Sequence, residues 1–575
     1  MERDSASSAS QAPPLSLSGA EAVIESLITE QVAVIFGYPG GAIMPIYDAL
    51  YLRQEEIRHV LVRHEQCAVH AAQGYARASG KVTVCFATSG PGATNLVTGL
   101  ADALADSTPL VCITGQVASP LLGTDAFQET DILGLTTAVT KWNYLITDVS
   151  EIPEILAKAF YIARSGRPGP VLIDIAKDAQ VAKHPYQYAP CHRVQGYQPV
   201  PKASAEQLAA AAALINQAER PMILAGQGII LSGAEEALQQ LAEKSGIPVA
   251  CTLLGLSCMP VGHPLYVGML GMHGNYGPNI KTNECDLIIG IGMRFDDRVT
   301  GRVSDYATAA KIIHIDIDAA EHGKIIHPDV SLVADAHEAI QALLPLVQPR
   351  QHEAWRQSFR EADLKEYQKV IDRSIHPQAG PLTMAEVVHQ LSEISKGKAL
   401  IVSDVGQHQM AAARYYAFQD SRSHITSGGI GTMGFAIPAA LGAAMGAPHR
   451  QVCCIVGDGG FQMTMQELAT IAQEEVPVKI ILLNNGFLGM VRQWQELFFE
   501  NRYSFTTMKN PDFVALGQAF GLKSWRIDNR ESLPIALKHL MALPQAALLE
   551  VVVAQEENVF PMIASGKSVA EISLG

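Results

Sequence analysis

The stretch GDGGFQM at residues 457–463 follows the apolar run QVCCIV, and a second apolar run, VKIILL at 478–483, closes on Asn484-Asn485. Each run has the length of a buried parallel strand, and the residues between them have the length of a helix. In parallel α/β sheets ligands collect at the carboxyl ends of strands, where first-turn amides of the next helix are unpaired and accept a phosphate. Gly457 and Gly459 let the backbone approach such a group closely. Asp458 and Asn485 supply hard oxygen ligands of the kind Mg²⁺ accepts, and a diphosphate would complete its octahedron. Taken alone, Gly-Asp-Gly and Asn485-Gly486 are also ordinary turn sequences. The joint pattern, GDG at one strand end and NN at the next, is the more specific reading.

Working outward, the same strand–helix rhythm fills the chain. Residues 15–182 contain AVIFG, HVLVRH, VTVCFATSG, PLVCITG and PVLIDI; residues 205–346 contain PMILAGQG, IPVACTLLG, CDLIIGIG and AKIIHIDID; residues 381–575 contain ALIVSDVG, QVCCIVGDG, VKIILLNN and AALLEVVV. This pattern predicts an α/β fold of three doubly wound parallel-sheet domains. Residues 183–204 carry Pro and Tyr without apolar periodicity and read as a connector, and the charged segment 347–380 reads as a linker with an exposed helix. Residues 1–14, rich in Ser and Ala, read as a disordered extension and not as a secretory signal.

Composition narrows the function classes. The chain has 575 residues, 48% hydrophobic and 17% charged, which suits globular domains. Its net charge of −15 repels phosphate backbones and anionic lipid, so neither nucleic acid nor a membrane surface is an expected partner. No apolar run approaches the ~20 residues that span a bilayer. The nine cysteines form no CxxC pair and sit mostly in apolar runs, as expected of thiols in a reducing, cytoplasmic setting. In HEQCAVH, His64 and His70 stand about 240° apart round a helix, which excludes the HExxH zinc geometry.

GDG followed some two dozen residues later by NN resembles the thiamine-diphosphate enzymes. The likeness extends through FGYPGGAI, RHEQ, SGPGATN, GTDAFQE, GMHG, GMRFDDR, DVGQHQM, TSGGIGTMGF and QWQELFF. Together these are similar to the catalytic subunits of acetohydroxyacid (acetolactate) synthase over the chain from about residue 17. The resemblance implies decarboxylation of pyruvate and transfer of its two-carbon unit to pyruvate or 2-ketobutyrate, opening branched-chain amino-acid synthesis. A pyruvate oxidase of the same superfamily is the enzyme alternative, and RFDDR, GTDAFQE and Trp494 favour the synthase. A catalytically silent homologue is the other, and Glu65, Asp458 and Asn485 together argue against it.

The resemblance also assigns residues. Asp458, Asn485 and the backbone carbonyl of Phe487 would hold Mg²⁺. Thiamine diphosphate would meet Tyr38, Pro39, Glu65, Thr88, Pro91 and Asn95 in the first domain. In the third it would meet Gln407, His408, Gly431, Met433, Gly457, Asp458, Gly459, Gly460, Asn485, Phe487, Leu488, Gly489, Met490 and Val491. Glu65 would bond the aminopyrimidine ring, and partial burial after HVLV is expected to raise its pKa. Gln128 and the backbone at Gly41 would lie near the reacting carbon, where polar donors stabilise oxyanion charge.

Met490, Val491 and Trp494 would shape the second-substrate pocket, where one methylene is worth roughly 1–3 kcal/mol. FAD, without net redox role, would meet Arg167, Gly226, Gly228, Met272, His273, Gly292, Arg294, Asp296, Asp316 and Asp335; alone, AGQG and GIG fall short of a full dinucleotide fingerprint. A homodimer or homotetramer with sites between subunits, and a small regulatory subunit, are further implications. Departures from the family pattern are Ala118 and Ala176 in place of Pro and His322 in place of an apolar residue.

Overall fold

The computed structural model describes residues 15–575; the extension expected over 1–14 lies outside them. Three six-stranded sheets follow one another along the chain. In the first, the spatial order is Arg58–Leu61, Val34–Gly37, Thr83–Ala87, Leu110–Gln116, Pro170–Ala176, Trp142–Ile146, every pair parallel. In the last it is His424–Thr426, Leu400–Ser403, Val452–Gly457, Lys479–Asn484, Ala547–Val552, Lys523–Ile527. Counted in chain order, both run second, first, third, fourth, sixth, fifth, so the terminal domains share one topology. The central sheet runs Tyr266–Met269, Val249–Cys251, Pro221–Ala225, Leu287–Ile291, Lys311–Asp316, Val330–Val333. This third-second-first-fourth-fifth-sixth order is that of dinucleotide-binding sheets, with its crevice between the first and fourth strands.

The expected strands form, but the sheet edges went largely unread. Trp142–Ile146, Tyr266–Met269, Val330–Val333, His424–Thr426 and Lys523–Ile527 are all edge strands. An edge strand has one paired side and needs fewer apolar residues, so its sequence lacks the continuous run that marks a central strand. A short antiparallel pair, Ser16–Ser18 with Lys183–Pro185, ties the start of the connector back to the start of the first domain.

The first and third domains meet through two helices, Glu65–Ser79 and Ala436–Gly446. Their backbones touch: a Cβ on Gly74 would lie 1.9 Å from the carbonyl oxygen of Ala439, and one on Gly442 would lie 1.7 Å from that of Ala71. The sequence AIPAALGAAMG permits this because it presents almost no side chain beyond Cβ. His64 caps the first helix by accepting the Gln66 N–H, and Gly80, at φ 75°, ends it in the left-handed conformation.

The expectation of an exposed helix in 347–380 is corrected. Trp355, Phe359 and Ala362 of helix Glu353–Glu366 are buried, and Trp355 and Phe359 belong to one apolar cluster with Met222, Leu224 and Ile288 and with Ile563 and Ile572 of the C-terminal segment. Glu366 ends that helix in a buried ion pair with Arg414 of the third domain. It also accepts the Tyr276 N–H at 2.7 Å, and Arg414 donates to the carbonyls of His273 and Gly274 at 3.1 and 2.9 Å. Charge density in the sequence reported the helix's outer face and concealed the inner one. The nine cysteines are free, with all but Cys191 buried, and no helix among the described residues is long and apolar enough to cross a membrane.

Gly442→Val forces backbone against backbone and is expected to destabilise by at least about 3 kcal/mol, the upper end of overpacking costs. Gly262→Ala, where the added methyl meets open space, is expected to stay within about 0.5 kcal/mol of the parent in urea unfolding.

Candidate functional site

At the carboxyl ends of the first sheet, Glu65 opens helix Glu65–Ser79 and is half-buried. Its Oε2 accepts Asn95 Nδ2 at 2.9 Å, and a side chain at Gly92 would come within 3.3 Å of its Oε1. Arg63 does not pair with it; that guanidinium donates to Leu61 O and Gln473 Oε1 at 2.6 and 2.8 Å. The Arg63 N–H is accepted at 2.8 Å by Glu467, a fully buried residue of the third domain that holds the turn before Glu65. Thr88 takes the Ala42 N–H at 3.3 Å and fills the space beside Gly40, which joins the Tyr38–Gly41 turn to the 88–95 segment. Gln128 sits at φ 60°, a left-handed conformation that costs a non-glycine residue of order 1 kcal/mol. Its backbone abuts Gly90, where a Cβ would meet it at 2.8 Å.

The third sheet builds the second half. Asp458 is buried, and both hydrogen bonds it accepts, from the Gly486 N–H at 3.0 Å and Asn510 Nδ2 at 2.6 Å, fall on Oδ2. Oδ1 is thereby left for a cation. Burial raises the Asp458 pKa, opposed first by the Asn510 bond. Asn485 is buried beside it in sequence space one strand over, its Oδ1 accepting only the Phe487 N–H at 3.2 Å. Asn484 does different work, linking Glu550 at 2.8 Å and Asn510 at 2.9 Å. One carboxylate, one carboxamide and a loop carbonyl are the donor set of a hard divalent ion that keeps positions open for phosphate oxygens. Among the described residues no group of three or more His, Cys, Asp or Glu could hold a metal by itself.

His408 packs its ring on Gly457, where a Cβ would lie 2.7 Å away, and its buried Nε2 has no partner. Burial lowers its pKa to about 3, so the ring is neutral and free to donate one N–H to an anion. Gln407, expected in the diphosphate-binding turn, has its side-chain amide engaged within the protein. Its Nε2 donates to Gln493 Oε1 at 3.0 Å and to the Glu557 carbonyl at 2.7 Å. What it can offer a phosphate is its N–H in the first turn of helix Gln407–Tyr415. Gly489 leaves room for the side-chain amides of Gln407 and Asn485, since a Cβ there would lie 2.1 Å from Gln407 Oε1 and 2.7 Å from Asn485 Nδ2 and would displace them.

The turn carrying Gly431 and Met433 is held from two sides. Asp404 accepts the N–H groups of Val405, Gly434 and Ala436 at 2.8, 2.9 and 3.0 Å. From the first domain, Asp106 accepts the Gly428 and Gly429 N–H groups at 2.8 and 2.7 Å, and Asp102 accepts the Ser427 and Thr432 hydroxyls. Burial pushes Asp404 and Asp106 up to about 6. Sequence reading missed Asn510, Glu467, Asp102 and Asp106, since no local pattern says that a carboxylate will face another domain; Asp404 was within the quoted DVGQHQM.

A cavity of about 880 Å³ opens over the central crevice. Gly228, Met272, His273, Gly292, Arg294, Asp296, Asp316, Asp335 and Arg167 line it together with Gly431, Met433, Met490, Val491 and Trp494. Gly226 lies beneath the wall, where its Cβ would meet Gly292 O at 2.1 Å, and Gly292 has φ 56°. His273 Nδ1 and Trp494 Nε1 are buried without partners. Arg167 pairs with Asp318 and Glu321 at 3.2 and 3.0 Å while facing the cavity. Asp335 caps helix Ala336–Leu343. Asp316, its pKa raised to about 6 by burial, takes the Asp318 N–H at 2.9 Å.

Comparison with known proteins agrees with this layout. The family description "Thiamine pyrophosphate enzyme, N-terminal TPP binding domain" matches residues 17–135, the central domain of the same enzymes matches 208–343, and their C-terminal TPP binding domain matches 404–551. The acetolactate synthase large subunit of Corynebacterium glutamicum is 47% identical over 574 residues, 99% of this chain and 92% of that one. The acetolactate synthase isozyme 2 large subunit of Escherichia coli K12 is 46% identical over 561 residues, 97% of this chain and 99% of that one. The acetolactate synthase large subunit of Lactococcus lactis subsp. lactis is 44% identical over 557 residues, 96% of this chain and 95% of that one. With the strand-end sites and the three sheets already in place, these matches show that the chain belongs to the thiamine pyrophosphate enzymes and, within them, to the acetolactate synthase large-subunit family.

Proposed function

We propose that the protein decarboxylates pyruvate and ligates the two-carbon unit to a second pyruvate, giving 2-acetolactate, or to 2-ketobutyrate, giving 2-aceto-2-hydroxybutyrate. This is the first common step of branched-chain amino-acid synthesis. The observation that carries the reading is the free Oδ1 of buried Asp458 beside Asn485 and the unpartnered His408 Nε2. A magnesium diphosphate satisfies all three.

Thiamine diphosphate, when bound, supplies a thiazolium that accepts the electron pair released by the departing carboxylate. The chain's residues have separate tasks. Asp458, Asn485 and the Phe487 carbonyl would hold the ion, and the first-turn N–H groups after Gly406 and Gly457 would be available to the phosphates. Glu65 holds or gives up a proton at Oε1, while Asn95 fixes Oε2. Met433, fixed by the Asp404 and Asp106 clamps, fills space against the rings. Gln128, in its strained turn, and the Gly41 backbone present donors to developing negative charge. Trp494 gives the second keto acid an apolar wall. The central cavity fits FAD: its crevice lies at the sheet's switch point, and Gly228 and Gly292 bring the loops after the first and fourth strands together there, since a Cβ on either would lie 2.5 Å from the other's Cα.

Glu65 pairs with Asn95 of its own first domain, and it does not line the cavity that holds Met433 and Trp494. This supports a catalytic centre completed by a second copy of the chain. Phe127 and Phe505, 87% and 99% exposed on the loops beside the two halves, supply apolar surface for that contact. The name "large subunit" borne by the relatives supports a smaller regulatory partner. Free thiols throughout support a cytoplasmic setting.

With purified protein and pyruvate, leaving out thiamine diphosphate or Mg²⁺ in turn should abolish acetolactate formation; formation without either would overturn the reading. Glu65→Gln is expected to lower kcat at least about 100-fold while leaving cofactor affinity near that of the parent. Asp458→Ala should instead lose the rise in melting temperature that thiamine diphosphate and Mg²⁺ give the parent. Trp494→Leu, assayed with mixed keto acids, should lower the ratio of acetohydroxybutyrate to acetolactate by about 10-fold or more.

A further inference from the structure

The doublet Asn484-Asn485 closes the strand Lys479–Asn484, and only its second member stands in the ligand set proposed for the ion. Asn484 is bonded differently. Its Nδ2 donates to Glu550 Oε1 on the neighbouring strand at 2.8 Å, and its Oδ1 accepts Asn510 Nδ2 at 2.9 Å. The same Asn510 Nδ2 donates to Asp458 Oδ2 at 2.6 Å. Two carboxylates and two carboxamides thus form one line of hydrogen bonds, running from Glu550 through Asn484 and Asn510 to Asp458.

The ends of the line fix the direction of every bond in it. Glu550 and Asp458 are carboxylates, which accept, so each faces an amide nitrogen. Asn484 then turns its oxygen toward Asn510, and Asn510 turns its own oxygen to Gln462 Nε2, which donates to it at 3.0 Å. Reversing either amide would set oxygen against oxygen. Glu550 is fully buried and its second oxygen accepts Arg526 Nε at 2.8 Å, which anchors the outer end.

Asn510 is brought to this place by the segment before it. Phe487 and Thr507 form an antiparallel bridge, the Leu488 N–H donates to the Thr506 carbonyl at 2.9 Å, and the Met508 N–H donates to the Gly486 carbonyl at 2.9 Å. One segment therefore braces the loop carrying Asn485 and Phe487 and also delivers the amide that meets Asp458.

Asp458 Oδ2 accepts a second hydrogen bond, from the Gly486 N–H at 3.0 Å. A carboxylate oxygen has two lone-pair directions, and these two donors occupy both. Oδ2 has none left for a cation, and Oδ1 is the ligating oxygen. Ligation through one oxygen suits the octahedral shell of Mg²⁺, whereas Ca²⁺ also accepts both oxygens of a carboxylate.

We infer that Asn510, oriented by Asn484 and Glu550, is the positioning residue that confines Asp458 to one-oxygen ligation and so sets the affinity of the site for a small divalent ion. The inference rests on the magnesium diphosphate reading proposed above and adds to it a residue outside the ligand set.

The test uses the full-length protein, stripped of metal with EDTA and saturated with thiamine diphosphate. It is titrated with MgCl₂ and, separately, with CaCl₂, and the half-saturating concentration is read from the rise in melting temperature. Asn510→Ala is expected to weaken Mg²⁺ binding by about 10- to 100-fold. Ca²⁺ should lose less, because the freed Oδ2 lets the larger ion take both oxygens. Asn510→Ser keeps a donor on a shorter side chain and should lose less Mg²⁺ affinity than Asn510→Ala. Unchanged Mg²⁺ affinity in Asn510→Ala, or equal losses for the two ions, as a general loss of stability would give, overturns the assignment and leaves the cofactor reading standing. A parent protein whose melting temperature responds to neither ion overturns both.

Discussion

The close approach of helices Glu65–Ser79 and Ala436–Gly446 sets the geometry on which the rest depends. Gly74 and Gly442 let two backbones touch, and no larger residue fits at either point. Contact at that range fixes the relation of the first and third sheets to within a rotamer's tolerance, because close-packed interfaces do not deform continuously. Polar links between the domains then become possible. Glu467 reaches the Arg63 N–H just before Glu65, and Asp102 and Asp106 reach the loop that leads to Met433.

These links are made by carboxylates buried almost completely, which is costly unless each is well paired. The structure meets the cost with backbone N–H groups at Asp106 and Asp404 and with the Ser427 and Thr432 hydroxyls at Asp102. Asp404 takes three and Asp106 two, and in each case burial still holds the pKa near 6 against these bonds. Such carboxylates are short, rigid ties between loops. Asp458 differs from them in keeping one oxygen clear of protein donors, and that difference separates a ligand-holding acid from a structural one. Around the central crevice, His273 and Trp494 line one cavity, and His273 Nδ1 and Trp494 Nε1 are buried without partners.

How far the fold was legible follows from where each strand sits. Central strands such as Val452–Gly457 and Lys479–Asn484 are apolar on both faces and announce themselves. Edge strands such as Lys523–Ile527 and Val330–Val333 do not, since solvent covers one side and the sequence mixes Lys, Arg and Ser with apolar residues. Helix Glu353–Glu366 misled for a related reason: its charges are real, yet Trp355 and Phe359 turn inward and Glu366 is neutralised by Arg414, far away in sequence. The cofactor positions were legible as motifs. Their supports, Asn510, Glu467, Asp102 and Asp106, were not, because a single carboxylate or amide carries no mark of its partner.

The amino-acid sequence by itself determined the strand–helix rhythm, the three α/β units and the placing of Gly457, Asp458 and Asn485 at strand ends, because hydrophobic period, glycine conformation and ligand chemistry are local properties. Tertiary structure alone decided that the terminal sheets share one strand order and that Gln407 spends its amide on Gln493. Those outcomes depend on which distant backbones come within a few ångströms, and no local pattern contains that information.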